Sequence, residues 1–213
     1  TPVYVGSGTQ NWAISFTMDR IARYMPAPSE VAAAKAETPD GSAVEIEADP
    51  EAPLSAFVFK TIADPFVGRI SMFRVYSGTF KANSTIYNPI KEKDERISSI
   101  FTMVGKRQLA ADQIVAGDIG AVTKLLVTTT NDTLCDRARP VILSQIKFPV
   151  PCLSLAILPK VKGEEDKIMS GLAKLKDEDP VFTVKNDAET HQMVISGLGE
   201  QQLDVLRSKL KTK

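Results

Sequence analysis

Two arginines stand among apolar residues in the stretch 57–80, FVFKTIADPFVGRISMFRVYSGTF. Arg69 and Arg74 fit a solvated strand face or a polar, phosphate-bearing partner, and periodicity leaves both open. Lys91, Lys93, Arg96, Lys106 and Arg107 form a second set of cations. Each would meet a phosphate as a charge and would not read sequence. Bond-making chemistry has less to work with. His191 is the single histidine and sits in a polar run, with no Ser-His-Asp or Cys-His arrangement around it. Cys135 and Cys152 follow no metal-ligand spacing and are expected as free buried thiols in a reducing compartment. Glu200 at a helix start suits the helix dipole. Gly197-Leu198-Gly199 before it fits a tight turn as well as a set of amides offered to a phosphate. No catalytic residue and no metal ligand is predicted.

A nucleoside triphosphate needs more than this chain offers. There is no G-x-x-x-x-G-K-[ST] loop to cradle phosphates and supply the lysine and the magnesium-binding hydroxyl. Asn-Lys-x-Asp is absent, and no Asp-x-x-Gly is placed to serve. The chain is therefore expected neither to hydrolyse GTP nor to bind it tightly, and no cofactor is expected in it.

Composition sets the frame for these residues. A hydrophobic share of 43% leaves enough apolar mass for a core. No apolar run approaches the roughly 18 residues of a membrane span, so no membrane partner is expected. The opening TPVYVGSGTQ has no basic start and no initiator Met. It is expected to lie inside a longer, cytoplasmic and monomeric protein. Net charge is zero but uneven: residues 1–51 carry 3 basic and 8 acidic side chains, 52–146 carry 12 and 8, and 147–213 carry 11 and 10. The mildly basic middle permits RNA contact without demanding it.

The elements follow from periodicity. Residues 2–5 read as a short strand. Ile14, Met18, Ile21 and Met25 make one apolar stripe on a helix over about 11–25, ended by Pro26 and Pro28. Residues 29–53 are rich in Ala, Glu and Pro and read as a solvated connector, with Pro39-Asp40-Gly41 able to turn a short hairpin into Ala43-Val44-Glu45-Ile46. From 54 to 146 the rhythm is β: 57–59, 70–76, 84–90, 96–104, 119–126 and 141–143 are strands, and 91–95 turns between two of them. Short strands with regular turns and no helical pattern predict an antiparallel β-barrel. Residues 147–213 change rhythm. After the stiff joint 148–151 comes a strand at 152–158, a helix at 164–177, a hairpin of 181–185 with 192–196, and a last helix carrying Leu203, Leu206 and Leu210. The order β-α-β-β-α is a split βαβ, ferredoxin-like unit without its final strand. The predicted class is mainly β plus α+β.

The same residues carry a resemblance. Phe59-Lys60, Asp64-Pro65-Phe66-Val67-Gly68 and Arg74-Val75-Tyr76-Ser77-Gly78 resemble the start of the second domain of bacterial elongation factor G. The likeness continues through Asn88, Glu95-Arg96, 116–119 and 132–135, with Asn131 where the family has Gly. It extends into the third domain at Phe148-Pro149, Lys174-Leu175, Glu178-Asp179-Pro180, Glu189-Thr190, Gln192 and Gly197-x-Gly199-Glu200. Pro2-Val3-x-x-Gly6-Ser7 resembles the last guanine-binding motif of translational GTPases, with Gly8 in place of Ala. The resemblance implies a tail of the GTPase domain at 1–28, a linker at 29–53, the domain II barrel at 54–146 and a truncated domain III at 147–213, whose next strand would begin past Lys213 and leave a sheet edge open to another chain. It implies Ser7 and Gly8 as a remnant base contact. Arg69, Arg74, Lys91, Lys93, Arg96, Lys106 and Arg107 become contacts to small-subunit ribosomal RNA. It implies a parent that uses GTP and Mg to drive translocation of tRNA and mRNA on the ribosome. The chain departs from the family at Gln201-Gln202-Leu203, where Leu-His-Leu is usual, and at Leu158, where Glu is usual. A divergent paralogue, a ribosomal-protection or release-factor type relative, and a free-standing RNA-binding barrel are the alternatives.

Overall fold

The computed structural model describes residues 2–64, 67–105, 107–159, 163, 165–188, 190 and 192–212. Residues 2–6 form no strand. The one pairing here is a bridge between Ser7 and Trp12. Helix α1, Ile14–Tyr24, follows. The predicted stripe is present, but it is not core. No residue of α1 is buried, and Met18 and Ile21 are 61% and 51% exposed. Amphipathic spacing states which face is apolar; it does not supply the surface that would cover it.

Strands β1, Ala34–Glu37, and β2, Ala43–Ile46, pair around the expected Pro39-Asp40-Gly41 turn. Gly41 has φ 87°, and its N–H donates to the Thr38 carbonyl at 2.8 Å. This hairpin corrects the expectation of a solvated connector. Ala36 and Ile46 are buried against Phe57, Cys135, Val141 and Leu143, and β1 pairs with a strand about a hundred residues on.

The middle of the chain supplies β3 (Ser55–Asp64), β4 (Gly68–Ser77), β5 (Thr79–Lys81), β6 (Ser84–Asn88), β7 (Lys93–Ile97), β8 (Ile100–Val104), β9 (Arg107–Ala111), β10 (Gln113–Val115), β11 (Ile119–Thr123), β12 (Thr133–Cys135) and β13 (Ile142–Leu143). Eight of these form one antiparallel sheet in the order β7-β6-β12-β3-β4-β11-β8-β9, and β5 pairs with β10. β13 is the strand that pairs with β1. The sheet curls into a half-barrel around Val58, Phe73, Val75, Phe80, Ile97 and Leu134. β4 alternates buried and half-buried positions from Met72 to Ser77, the mark of a strand with one face on a core. Two expectations are corrected. The run 96–104 is two strands separated at Ser98-Ser99. The predicted turn 91–95 ends at Glu92, which has φ 54°, and Lys93 to Glu95 already belong to β7.

The last part gives β14 (Leu153–Ile157), α2 (Glu165–Glu178), β15 (Thr183–Asn186), β16 (Met193–Gly197) and α3 (Glu200–Thr212). β16 lies between β14 and β15, antiparallel to both, which is the split βαβ arrangement. Leu172, Leu175, Phe182, Ile195, Leu203 and Leu206 form its core. The outer edge of β14 has no partner strand among the described residues. No described helix is long and apolar enough to cross a membrane.

Candidate nucleic-acid interface

The β6–β7 hairpin carries three of the predicted cations, and a buried polar network fixes it. Asn88 ends β6, fully buried. Its Oδ1 accepts from the N–H groups of Ile90 and Lys91 at 3.1 and 3.0 Å, which sets the turn. Its Nδ2 donates to Thr128 Oγ1 and to Asp132 Oδ2, both at 3.1 Å. On β7, Glu95 and Ile97 point inward and Asp94 and Arg96 face out, while Lys93, on the same face as Glu95, is exposed at the strand's end. Glu95 is 1% exposed. Its carboxylate accepts from the N–H groups of Leu126, Val127 and Thr128 at 3.0, 2.9 and 2.8 Å, and from the Thr128 hydroxyl at 2.8 Å. Burial pushes this carboxyl up, but the three amides and the hydroxyl outweigh it and leave it below the ordinary carboxylate range.

The outer face of the hairpin is therefore rigid and charged. Asp94 accepts from Arg137 Nη1 at 2.6 Å, and the Arg137 guanidinium lies 4.9 Å from the centre of the Tyr87 ring. Lys91, Lys93 and Arg96 are exposed with no ion pair among the described residues. They can meet phosphates as point charges. β7 is also a sheet edge, where exposed charge discourages pairing with another strand.

The other predicted cations are elsewhere. Arg107 is exposed at the start of β9, and Lys106 lies outside the described residues. Arg69 is half-buried and already engaged: Nη2 donates to the Leu125 carbonyl at 2.8 Å, and Nη1 is 3.9 Å from Asp177. Arg74 is half-buried, 5.5 Å from the centre of the Tyr76 ring, beside Pro28, Ile46 and Gly117. The structure thus places Lys91, Lys93 and Arg96 on one hairpin and Arg74 and Arg107 on other strands, while Arg69 is tied through the Leu125 and Leu126 carbonyls to the loop that holds Glu95.

Ser7 and Gly8 sit in the exposed turn before α1. The Ser7 N–H donates to the Trp12 carbonyl at 3.2 Å, and Ser7 Oγ accepts from the Gln10 N–H at 3.2 Å. The turn before α3 is tight: the Leu198 N–H donates to Gln202 Oε1 at 2.6 Å. Cys135 is buried, and burial pushes its thiol up. Cys152 is exposed, against expectation, and its Sγ donates to the Leu198 carbonyl at 2.9 Å. No group of three His, Cys, Asp or Glu among the described residues is placed to hold a metal ion. His191 and Glu189 lie outside the described residues.

Residues 53–137 match the family model for elongation factor G domain 2, and residues 148–213 match the model for elongation factor G, domain III. These two domains, in this order on a curled half-barrel and a split βαβ unit, define a translation-factor fragment. The chain belongs to the elongation factor G family and carries its domains II and III. A crystal structure of a protein from Thermus thermophilus is similar in fold, with a TM-score of 0.80 and 24% identity over 99% of this chain. The chain spans 29% of the length of that protein.

Proposed function

We propose that this chain is the central part of a cytoplasmic, monomeric translational GTPase that acts on the ribosome, using GTP to drive translocation of tRNA and mRNA. The observation that supports this is the succession of two different domains of one translation factor, in the family's order, on a single chain. In this reading GTP and Mg are held by the parent's nucleotide domain. Ser7 and Gly8 supply a base contact to it, and domains II and III carry its state to the ribosome. Lys91, Lys93 and Arg96, with Arg107, meet phosphates of small-subunit ribosomal RNA. Arg69 serves chiefly the fold, since its guanidinium is already taken by a main-chain carbonyl and a carboxylate.

Ribosome pull-down with the full-length protein, with and without a non-hydrolysable GTP analogue, tests the proposal. Retention that depends on the analogue supports it. Equal retention in both arms favours a free-standing RNA-binding barrel, and binding with no translocation in a reconstituted assay favours a ribosomal-protection or release-factor type relative. The charges give a finer test. Lys93→Ala and Arg96→Ala are each expected to lower the salt slope of ribosomal-RNA binding by about one, with little change in RNA sequence preference. An unchanged slope in both variants removes the hairpin from the interface.

A further inference from the structure

The seam between the half-barrel and the split βαβ unit is polar. α2 packs on β3, yet each hydrophobic cluster stays within one unit. The contact is made by the C-terminal end of α2. Glu178 is the last residue of that helix, and its side chain is 15% exposed. Oε1 accepts from the Ala63 N–H on β3 at 3.2 Å. Oε2 accepts from Lys209 Nζ on α3 at 3.1 Å. One carboxylate therefore joins a strand of one unit to both helices of the other. Asp177, one residue earlier, faces the Arg69 guanidinium, whose other nitrogen is fixed on the Leu125 carbonyl. The two acids thus reach two separate points of the half-barrel.

Two features argue that these contacts serve the seam and not the helix. First, carboxylates at a helix C-terminus oppose the dipole, so α2 by itself disfavours them there. Second, β12 pairs with β3 only from Ser55 to Phe57, and the main-chain hydrogen bonds of the loop before β12 reach no further than Val58. Beyond that point β3 has no strand on this side, and the Glu178 carboxylate takes the Ala63 N–H in place of a strand carbonyl. We propose that Glu178, seconded by Asp177 on Arg69, is an electrostatic latch that sets the angle between the two units. Opening it lets them reorient about the joint 148–151, where Val150 is 83% exposed. A polar seam without a shared apolar core is the kind that opens and closes.

Distances between spin labels test this. Labels at Thr85→Cys on β6 and Lys185→Cys on β15, in a Cys152→Ser background of the whole chain, report the angle. The unaltered seam is expected to give one narrow distance peak. Glu178→Ala is expected to broaden it about twofold and Glu178→Gln less, because the amide keeps an acceptor for Ala63 but loses the charge facing Lys209. High salt is expected to broaden the parent distribution and to change that of Glu178→Ala little. Asp204→Ala, which removes an exposed acid within α3, is the control and should leave the peak unchanged. A Glu178→Ala chain with native near-ultraviolet circular dichroism and an unaltered peak overturns the latch. If Glu178→Ala does not fold, an unaltered peak in Glu178→Gln at low salt overturns it instead.

Discussion

Glu95→Ala is expected to cost the half-barrel about 3 kcal/mol, since three amide donors and a hydroxyl lose a charged acceptor at a site closed to water. The donors belong to the loop between β11 and β12, and the Thr128 amide is itself buried. That loop also carries Thr129 and Asp132, whose Oδ2 accepts from the Thr129 N–H at 2.9 Å and from Asn88. The loss should therefore spread through the whole network. Glu95→Gln should cost less, about 2 kcal/mol, because one oxygen still accepts while its NH₂ is turned against donors. The charge also sets a pH signature. The folded carboxyl lies below its ordinary value, so its contribution is complete above the unfolded value of about 4.3 and is lost as pH falls through the folded value. The gap between the parent chain and Glu95→Gln should thus be full at neutral pH and should shrink at about pH 3. Urea denaturation at the two pH values measures it. An equal gap at both would mean that the charge of Glu95 plays no part.

Glu95 also shows where a sequence stops being legible. Lys91-Glu92-Lys93-Asp94-Glu95 looks like a solvated turn because all five side chains are charged. Only its alternation with Ile97 marks position 95 as inward, and its partners stand 31 to 33 residues further along. Arg69 is the same case: it is readable as a cation in a strand, but the carbonyl that takes it lies 56 residues away. Local chemistry is easier. Asn131 takes φ 82°, as an Asn standing in for Gly at a turn can, and the split βαβ unit follows its periodicities element by element. The hairpin of β1 and β2 lies between these cases. Its turn is written in Pro39-Asp40-Gly41, but its burial is not, because Ala36 is small and its partner strand is remote. Of the candidate interface, the hairpin cations are legible as residue types; the network that holds them rigid is not.

Phe73→Ala is expected to be the most damaging single change in the half-barrel, at about 4 kcal/mol. The ring is fully buried and stacks on Phe80, with centroids 4.1 Å apart and planes 20° from parallel. It also explains a glycine in the middle of a strand, where glycine ordinarily weakens the ladder. Gly120 on β11 pairs directly with Phe73. A Cβ at Gly120 would lie 2.7 Å from Phe73 Cζ and 2.8 Å from Ile114 Cγ1. The ring and the absent methyl occupy one space. Gly120→Ala alone should therefore overpack the core and cost about 2 kcal/mol. Phe73→Leu withdraws the far edge of the ring and leaves a small void there. In the double variant the methyl enters that void, so the pair should cost less than the sum of the two singles by about 1 kcal/mol. Denaturant midpoints of the four proteins give the coupling. Strict additivity would mean that the ring does not rest on Gly120.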